Sequence, residues 1–298
     1  MFFIFGCAGA TPQGRLDFRA VMPAQHKISN VPFIPQEINQ CGPAALAMVF
    51  QYHSAHVPIE ELTSQVYSPS LKGSIQPALI SSSRRNGFLA YEIYGTENLL
   101  KEVSSGSPVI VLQNLGLSWF PLWHYAVVTG YDIEQDSVVL HSGLTPDKEV
   151  SIRVFDRTWS GSQHWGLVVL PPTQIPSTAT EISYIESVMG LEKAKQWQSA
   201  IIGYKTALKS WPTSLHARMG LGNCYYEVGD LESAADVLRE ATKLSPDTAP
   251  AFNNLAQVLS EQGNVKEALD AATKAMTIGG PLQGINQKTY KEIKSKLH

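Results

Sequence analysis

The stretch Val31–His53, VPFIPQEINQCGPAALAMVFQYH, joins a Pro-rich extended run to an Ala-rich apolar segment at one cysteine, Cys41. Ala45, Met48, Val49 and Tyr52 recur at helical spacing, and Gly42 and Pro43 suit a first turn, where the N–H that proline lacks would have no partner anyway. The spacing predicts a helix that begins at Cys41. Unpaired backbone N–H groups and the positive end of the helix dipole favour a thiolate there, so the expectation is a lowered thiol pKa and a nucleophile. A structural cysteine would more often lie inside the helix on its apolar face.

A nucleophilic thiol needs a base. Of the eight histidines, His53 and His56 close the same helix, out of reach of Cys41, while His26, His216 and His298 fall in a leading segment, a repeat and the C-terminus. His124 stands differently, in LWHYAVVTGYDIEQDSVVLHSG. It opens an apolar run, Tyr125 to Val128, after which an Asp-rich turn leads to a second strand, Ser137 to Leu140. An imidazole at the head of a buried strand is poised at a cleft edge; taken alone it also reads as a satisfied core histidine.

With 298 residues, 44% apolar and 16% charged, the chain can bury a sizeable core and is expected to form two domains. A net charge of −3, with Lys and Arg scattered, gives no footprint for nucleic acid. Cys7, Cys41 and Cys224 form no CxxC pair, so neither a disulfide framework nor a thiolate zinc site is expected. No GxxxxGK[ST] loop is present, and neither metal nor nucleotide is called for.

The two halves differ in grammar. Between residues 25 and 172 one clear helix mixes with short β-branched and aromatic runs; after PPTQIPSTAT (171–180), a stretch with linker composition, the pattern is helical almost to the end. The helical half repeats every 34 residues: KQWQSAIIGYKTALKSWP (195–212), GDLESAADVLREATKLSP (229–246) and GNVKEALDAATKAMTIGG (263–280) align at Ala200/Ala234/Ala268 and at Ala207/Ala241/Ala275. This resembles the tetratricopeptide (TPR) repeat, in which small residues let two helices approach closely and a proline such as Pro212 or Pro246 ends the second. Three units, 181–214, 215–248 and 249–282, followed by a polar capping helix, meet the minimum for a stable stack. The resemblance implies a concave face that binds a peptide of a partner protein. Cys224, beside Tyr225 in the middle unit, reads as a buried structural thiol.

The first half carries a second resemblance. Gln36, CGPAALAM from Cys41, and HYAVVTGYD from His124 look like the peptidase C39 family of papain-like cysteine peptidases. The resemblance implies an α+β papain-like domain, residues 28–172, with the cysteine helix packed on an antiparallel sheet, then a linker, 173–180, and an all-α TPR solenoid, 181–298. It implies a thiol peptidase in which Cys41 is the nucleophile and His124 the base that takes its proton and returns it to the leaving amine. Gln36 would donate to the oxyanion with the Cys41 backbone N–H, and Gln40 is the rival donor. The family orients its histidine with Asp or Asn at the end of the next strand. Here that place holds His141 and Ser142, so Ser142, or His141, is the expected orienter, and a slow enzyme or a non-catalytic peptide-binding scaffold is the alternative. Asp132 and Asp136 lie too far round the hairpin.

Two features remain. Trp119, Phe120, Trp123, Trp159 and Trp165 either pack the core or line a groove for an extended peptide; GSIQPALISSSRRNGFLAYEIY (73–94) reads as a helix over 75–86 and a strand, with Arg84-Arg85 on a solvated face. At the start, residues 1–27, MFFIFGCAG resembles the lipobox of bacterial lipoproteins, with Cys7 as the lipidated residue. That implies a lipid-anchored protein of the bacterial cell envelope, on the periplasmic side, whose start codon lies upstream.

Overall fold

The computed structural model describes residues 22–36 and 40–296. Cys7 and the lipobox lie outside the described residues. Helix α1 (Cys41–Tyr52) begins at the cysteine, and Gly42 through Phe50 are all buried. The expected one-sided apolar face is thus an all-round one, because helices α2 (Ile59–Val66) and α3 (Gln76–Arg85) cover the side away from the sheet. Between them a two-stranded hairpin, β2 (Tyr67–Ser68) with β3 (Gly73–Ser74), approaches so closely that a Cβ on Gly42 would lie 2.6 Å from the Ser74 hydroxyl oxygen. Glycine is required there by contact.

The main sheet is antiparallel, with β4 (Leu89–Tyr94), β9 (Trp165–Leu170), β5 (Val109–Asn114), β6 (Trp123–Asp132), β7 (Ser137–Ser142) and β8 (Thr145–Ser151) side by side, and β1 (Gln25–Lys27) paired with β6. Its central strands are continuous apolar runs because both faces are covered. Ile110, Leu112, Tyr125, Val127, Leu167 and Val169 pack with α1, while their alternates Val109, Val111, Ala126, Val128, Val168 and Leu170 pack under α4 (Thr96–Ser104) and α5 (Ile152–Trp159). The domain is a three-layer α/β/α sandwich. Strand β8, TPDKEVS, is largely exposed and lacks the apolar alternation that would reveal it in sequence.

Six helices follow as three hairpins: α6 (Glu181–Lys193) with α7 (Trp197–Ser210), α8 (Leu215–Glu227) with α9 (Leu231–Leu244), and α10 (Ala249–Glu261) with α11 (Val265–Ile278). Helix α12 (Gln283–Ser295) closes the array. The small residues of the repeat are the close approaches: a Cβ on Gly203 would meet Val188 at 2.8 Å, and one on Gly222 would meet Leu238 at 2.7 Å. Cys224 is fully buried with Tyr184, Tyr204 and Leu221. Among the described residues no helix is long and apolar enough to cross a membrane.

The Pro/Ser/Thr segment between the halves is held against the first domain. Glu102, fully buried in α4, accepts hydrogen bonds from the backbone N–H of Ser177 (3.2 Å) and Thr178 (2.8 Å) and from the Thr178 hydroxyl (2.7 Å). Tyr184 donates to the Pro172 carbonyl at 3.0 Å, and Leu89 of the sheet is buried with α6. Removing the carboxylate takes the acceptor from these three part-buried donors, and a hydrogen bond to a charged group contributes about 1.5–3 kcal/mol. Glu102→Ala is expected to lower the melting temperature and open 171–180 to protease; unchanged cleavage there would show that the segment is held by other contacts.

Candidate active site

Cys41 and His124 line one cleft of about 940 Å³, walled by the β2–β3 hairpin on one side and by the β5–β6 connection on the other. Cys41 is half-buried at the first position of α1. Burial pushes the thiol up, and the backbone N–H groups of Tyr125, Gly42 and Cys41 itself lower it only in part. The expectation of a depressed pKa is therefore corrected. A helix N-terminus supplies a fraction of a charge, and loss of hydration from a buried thiolate is the larger effect.

His124 stands on β6 opposite Gln113 of β5. Val127 pairs with His141 across β6 and β7, so His124, three residues earlier, meets Ser142, one residue later, in a diagonal cross-strand contact. The ring Nε2 and the Ser142 hydroxyl are 3.0 Å apart. Burial, and secondarily the Lys148 ammonium, hold the imidazole down at about 4. At neutral pH the resting pair is consequently a thiol and a neutral imidazole.

His141 lies elsewhere. Its Nε2 donates to the Val31 carbonyl (3.1 Å) and its Nδ1 accepts the Asp147 N–H (3.1 Å), so both nitrogens are engaged in joining the leading segment to β8. Gln36 is buried. Its Nε2 donates to the Tyr125 carbonyl (3.2 Å), its Oε1 accepts the Gly143 N–H (2.9 Å), and its own N–H donates to the Gly143 carbonyl (3.0 Å). It thus ties the residue after His124 to the residue after Ser142, a positioning task that sequence spacing did not reveal; one side-chain N–H remains for a ligand. Gln40 is the N-cap of α1, with no side-chain capping bond.

The five aromatics divide. Trp159 and Trp165 are core, whereas Trp119 (79% exposed), Phe120 (71%) and Trp123 (47%) stand in water. Trp119 and Phe120 belong to a hairpin arm, 115–122, closed by the Leu115 N–H to Leu122 carbonyl bond (2.8 Å) and by Asn114 Oδ1, which accepts from Gly116 and Leu122. Among the described residues no group of three or more His, Cys, Asp or Glu is placed to hold a metal.

Residues 28–165 match the model of the Peptidase_C39 like family, and residues 222–263 match that of the TPR repeat. The first domain is a C39-like peptidase domain and the second a TPR array. The peptidase domain of Streptococcus ComA, a bi-functional ABC transporter involved in quorum sensing, superposes with a TM-score of 0.40 at 22% identity, covering 48% of this chain and 99% of that one. Tetratricopeptide repeat protein 36 of Mus musculus is 43% identical over 54 residues, which is 18% of this chain and 29% of that protein. Protein CTR9 homolog of Arabidopsis thaliana is 29% identical over 99 residues, 32% of this chain and 9% of that protein. The chain spans under a third of the length of either curated relative.

Burial and the carboxylates Glu192 and Glu227 push the Cys224 thiol up to about 12. Iodoacetamide is therefore expected to label Cys41 in the folded protein, faster as pH rises toward and past 9, and to leave Cys224 unlabelled until unfolding; a Cys41 rate already level below pH 7 would contradict a protonated thiol. Folded His124 releases its proton at about 4, whereas an unfolded imidazole does so near 6.5. The unfolded chain binds the extra proton between those values, so His124 makes the fold lose stability as pH falls through that window. Lys148→Glu replaces a repelling charge by an attracting one and is expected to move the His124 titration, followed by NMR, to higher pH; an unmoved titration would remove Lys148 from the account.

Proposed function

We propose that this chain is a thiol peptidase whose cleft binds an extended peptide and cleaves it through an acyl-enzyme on Cys41. The observation that supports it most is the His124–Ser142 hydrogen bond in the cleft that also holds Cys41: Nε2 is engaged with the hydroxyl, which leaves Nδ1 as the nitrogen available to the thiol. As the sulfur attacks a peptide carbonyl, Nδ1 takes the thiol proton. The oxyanion forms beside the Cys41 N–H and the remaining N–H of Gln36. The imidazolium then returns the proton to the leaving amine, and water, deprotonated by the same ring, releases the acyl group. The exposed Trp119, Phe120 and Trp123 offer a wall for apolar substrate side chains. An amine in place of water would turn the same steps into acyl transfer.

A thiol held high and an imidazole held at about 4 make the ion pair costly, which favours a second reading. In it the domain is a peptide-binding scaffold with little or no turnover. In both readings the concave face of the TPR array recruits a protein partner or the substrate, and lipidation at Cys7 tethers the chain to the periplasmic side of a bacterial envelope membrane. Fatty-acid labelling of the protein expressed with its upstream DNA tests the tether; an unlabelled, fully soluble product refutes it.

Cys41→Ala is expected to abolish cleavage of a peptide library without altering the fold, and Ser142→Ala to lower kcat by roughly tenfold to a hundredfold through a misoriented, less stabilised ring. Ser142→Asp, which supplies the missing charge, is expected to raise the acid limb of kcat/KM above pH 4 and to increase the rate. Cleavage that survives Cys41→Ala refutes the mechanism, and a wild-type chain that binds but never cleaves establishes the scaffold.

A further inference from the structure

The Arg84-Arg85 pair ends α3 at the seam between the two domains, where the Gln196 side chain donates to the Arg85 carbonyl at 2.9 Å. A cavity of about 590 Å³ opens there, lined by Arg84, Arg85, Lys193, Lys195 and one carboxylate, Glu92. Glu92 is already engaged, because its Oε2 accepts the Trp165 indole N–H at 2.7 Å. None of the four cations forms a salt bridge among the described residues. The Arg84 Nε is buried with no hydrogen-bond partner.

The first TPR unit departs from its siblings at several positions, and three of them line this cavity. Gly190 stands where the later units have Cys224 and Val258, and a Cβ on it would lie 2.4 Å from the Arg84 Nε, so glycine makes room for the guanidinium. Lys193 replaces Glu227 and Glu261, a reversal of charge. Lys195 replaces Gly229 and Gly263 in a turn whose φ is 57° here and 81° and 82° there, so a lysine is kept in a left-handed conformation that glycine adopts freely. Repeat packing explains none of these departures, since the other two units stack without them. Together they gather positive charge around Arg84, whose Nε has no hydrogen-bond partner.

We propose that the seam between the C39-like and TPR domains is a binding site for a multiply charged oxyanion group, carboxylate or phosphate. Arg84 can present its N–H groups to such a group; Arg85, whose Nη1 donates to the Ser81 hydroxyl (2.7 Å) and Nη2 to the Gln65 carbonyl (3.4 Å), adds positive charge beside it, as do Lys193 and Lys195. The site is separate from the Cys41 cleft and independent of its chemistry. A ligand bound to both domains would also stiffen their junction.

The test is calorimetric titration of the full chain, at low salt, with inorganic pyrophosphate and, separately, with tetraglutamate. Binding of either is expected, and the tighter probe assigns the source as phosphate or as an acidic peptide. Lys193→Glu with Lys195→Gly installs the residues of the later units, so it is compatible with the repeat, and it is expected to weaken binding by roughly tenfold or more, as does Arg84→Gln. Absence of binding by both probes at millimolar concentration, or affinity unchanged in the Lys193/Lys195 double variant, would overturn the proposal.

Discussion

Nine consecutive residues of α1, Gly42 to Phe50, are withdrawn from water, and the placement of the candidate site follows from that burial. A helix wrapped on all sides has one polar outlet, its end. Leu46, Met48 and Phe50 each contribute about 2–3 kcal/mol of apolar burial, which fixes the helix along its axis and so fixes Cys41 at the edge of the sheet. Gly42 against Ser74 sets the approach of the β2–β3 wall. The same rigidity has an electrostatic cost, because a thiol anchored this deeply loses hydration.

That cost decides the chemistry the site can reach. The two groups that would exchange a proton in the proposed mechanism are both held in their neutral forms, and the neighbour behind the imidazole is a hydroxyl, which orients the ring and adds no charge. Lys148 pushes in the unhelpful direction. In the proposed mechanism a bound peptide would exclude water from the cleft and bring its carbonyl to the donors, so the proton transfer would belong to the bound complex and not to the resting protein.

Much of this arrangement was legible in the sequence, for physical reasons that differ by element. The start of α1 was readable because Gly-Pro after the cysteine admits little else than a first turn, and the TPR hairpins because a 34-residue period repeats each helix contact. Strand β8 was not, since its exposed polar residues carry no alternation. The pKa of Cys41 was misjudged because a helix terminus is visible in sequence whereas the depth at which it is buried is not. The resemblance to the C39 family implies Gln36 as an oxyanion donor; that it also clamps the strands bearing His124 and Ser142 depends on long-range pairing. The Pro/Ser/Thr segment reads as a linker by composition, and nothing local announces that Glu102, 75 residues before Ser177, pins it.

Pinned in that way, the two domains meet through Glu102, Leu89 and Gln196, and a partner held by the repeats would be presented at a set position relative to the cleft. The central claim is that Cys41 and His124 act as one chemical unit. Its most direct measurement is intact-mass kinetics with a peptidyl epoxide, which alkylates a thiol only as a proton is supplied to the opening ring. A single adduct on Cys41 that forms at least tenfold more slowly in His124→Ala is the result the account predicts. An adduct rate indifferent to the loss of His124 would contradict it.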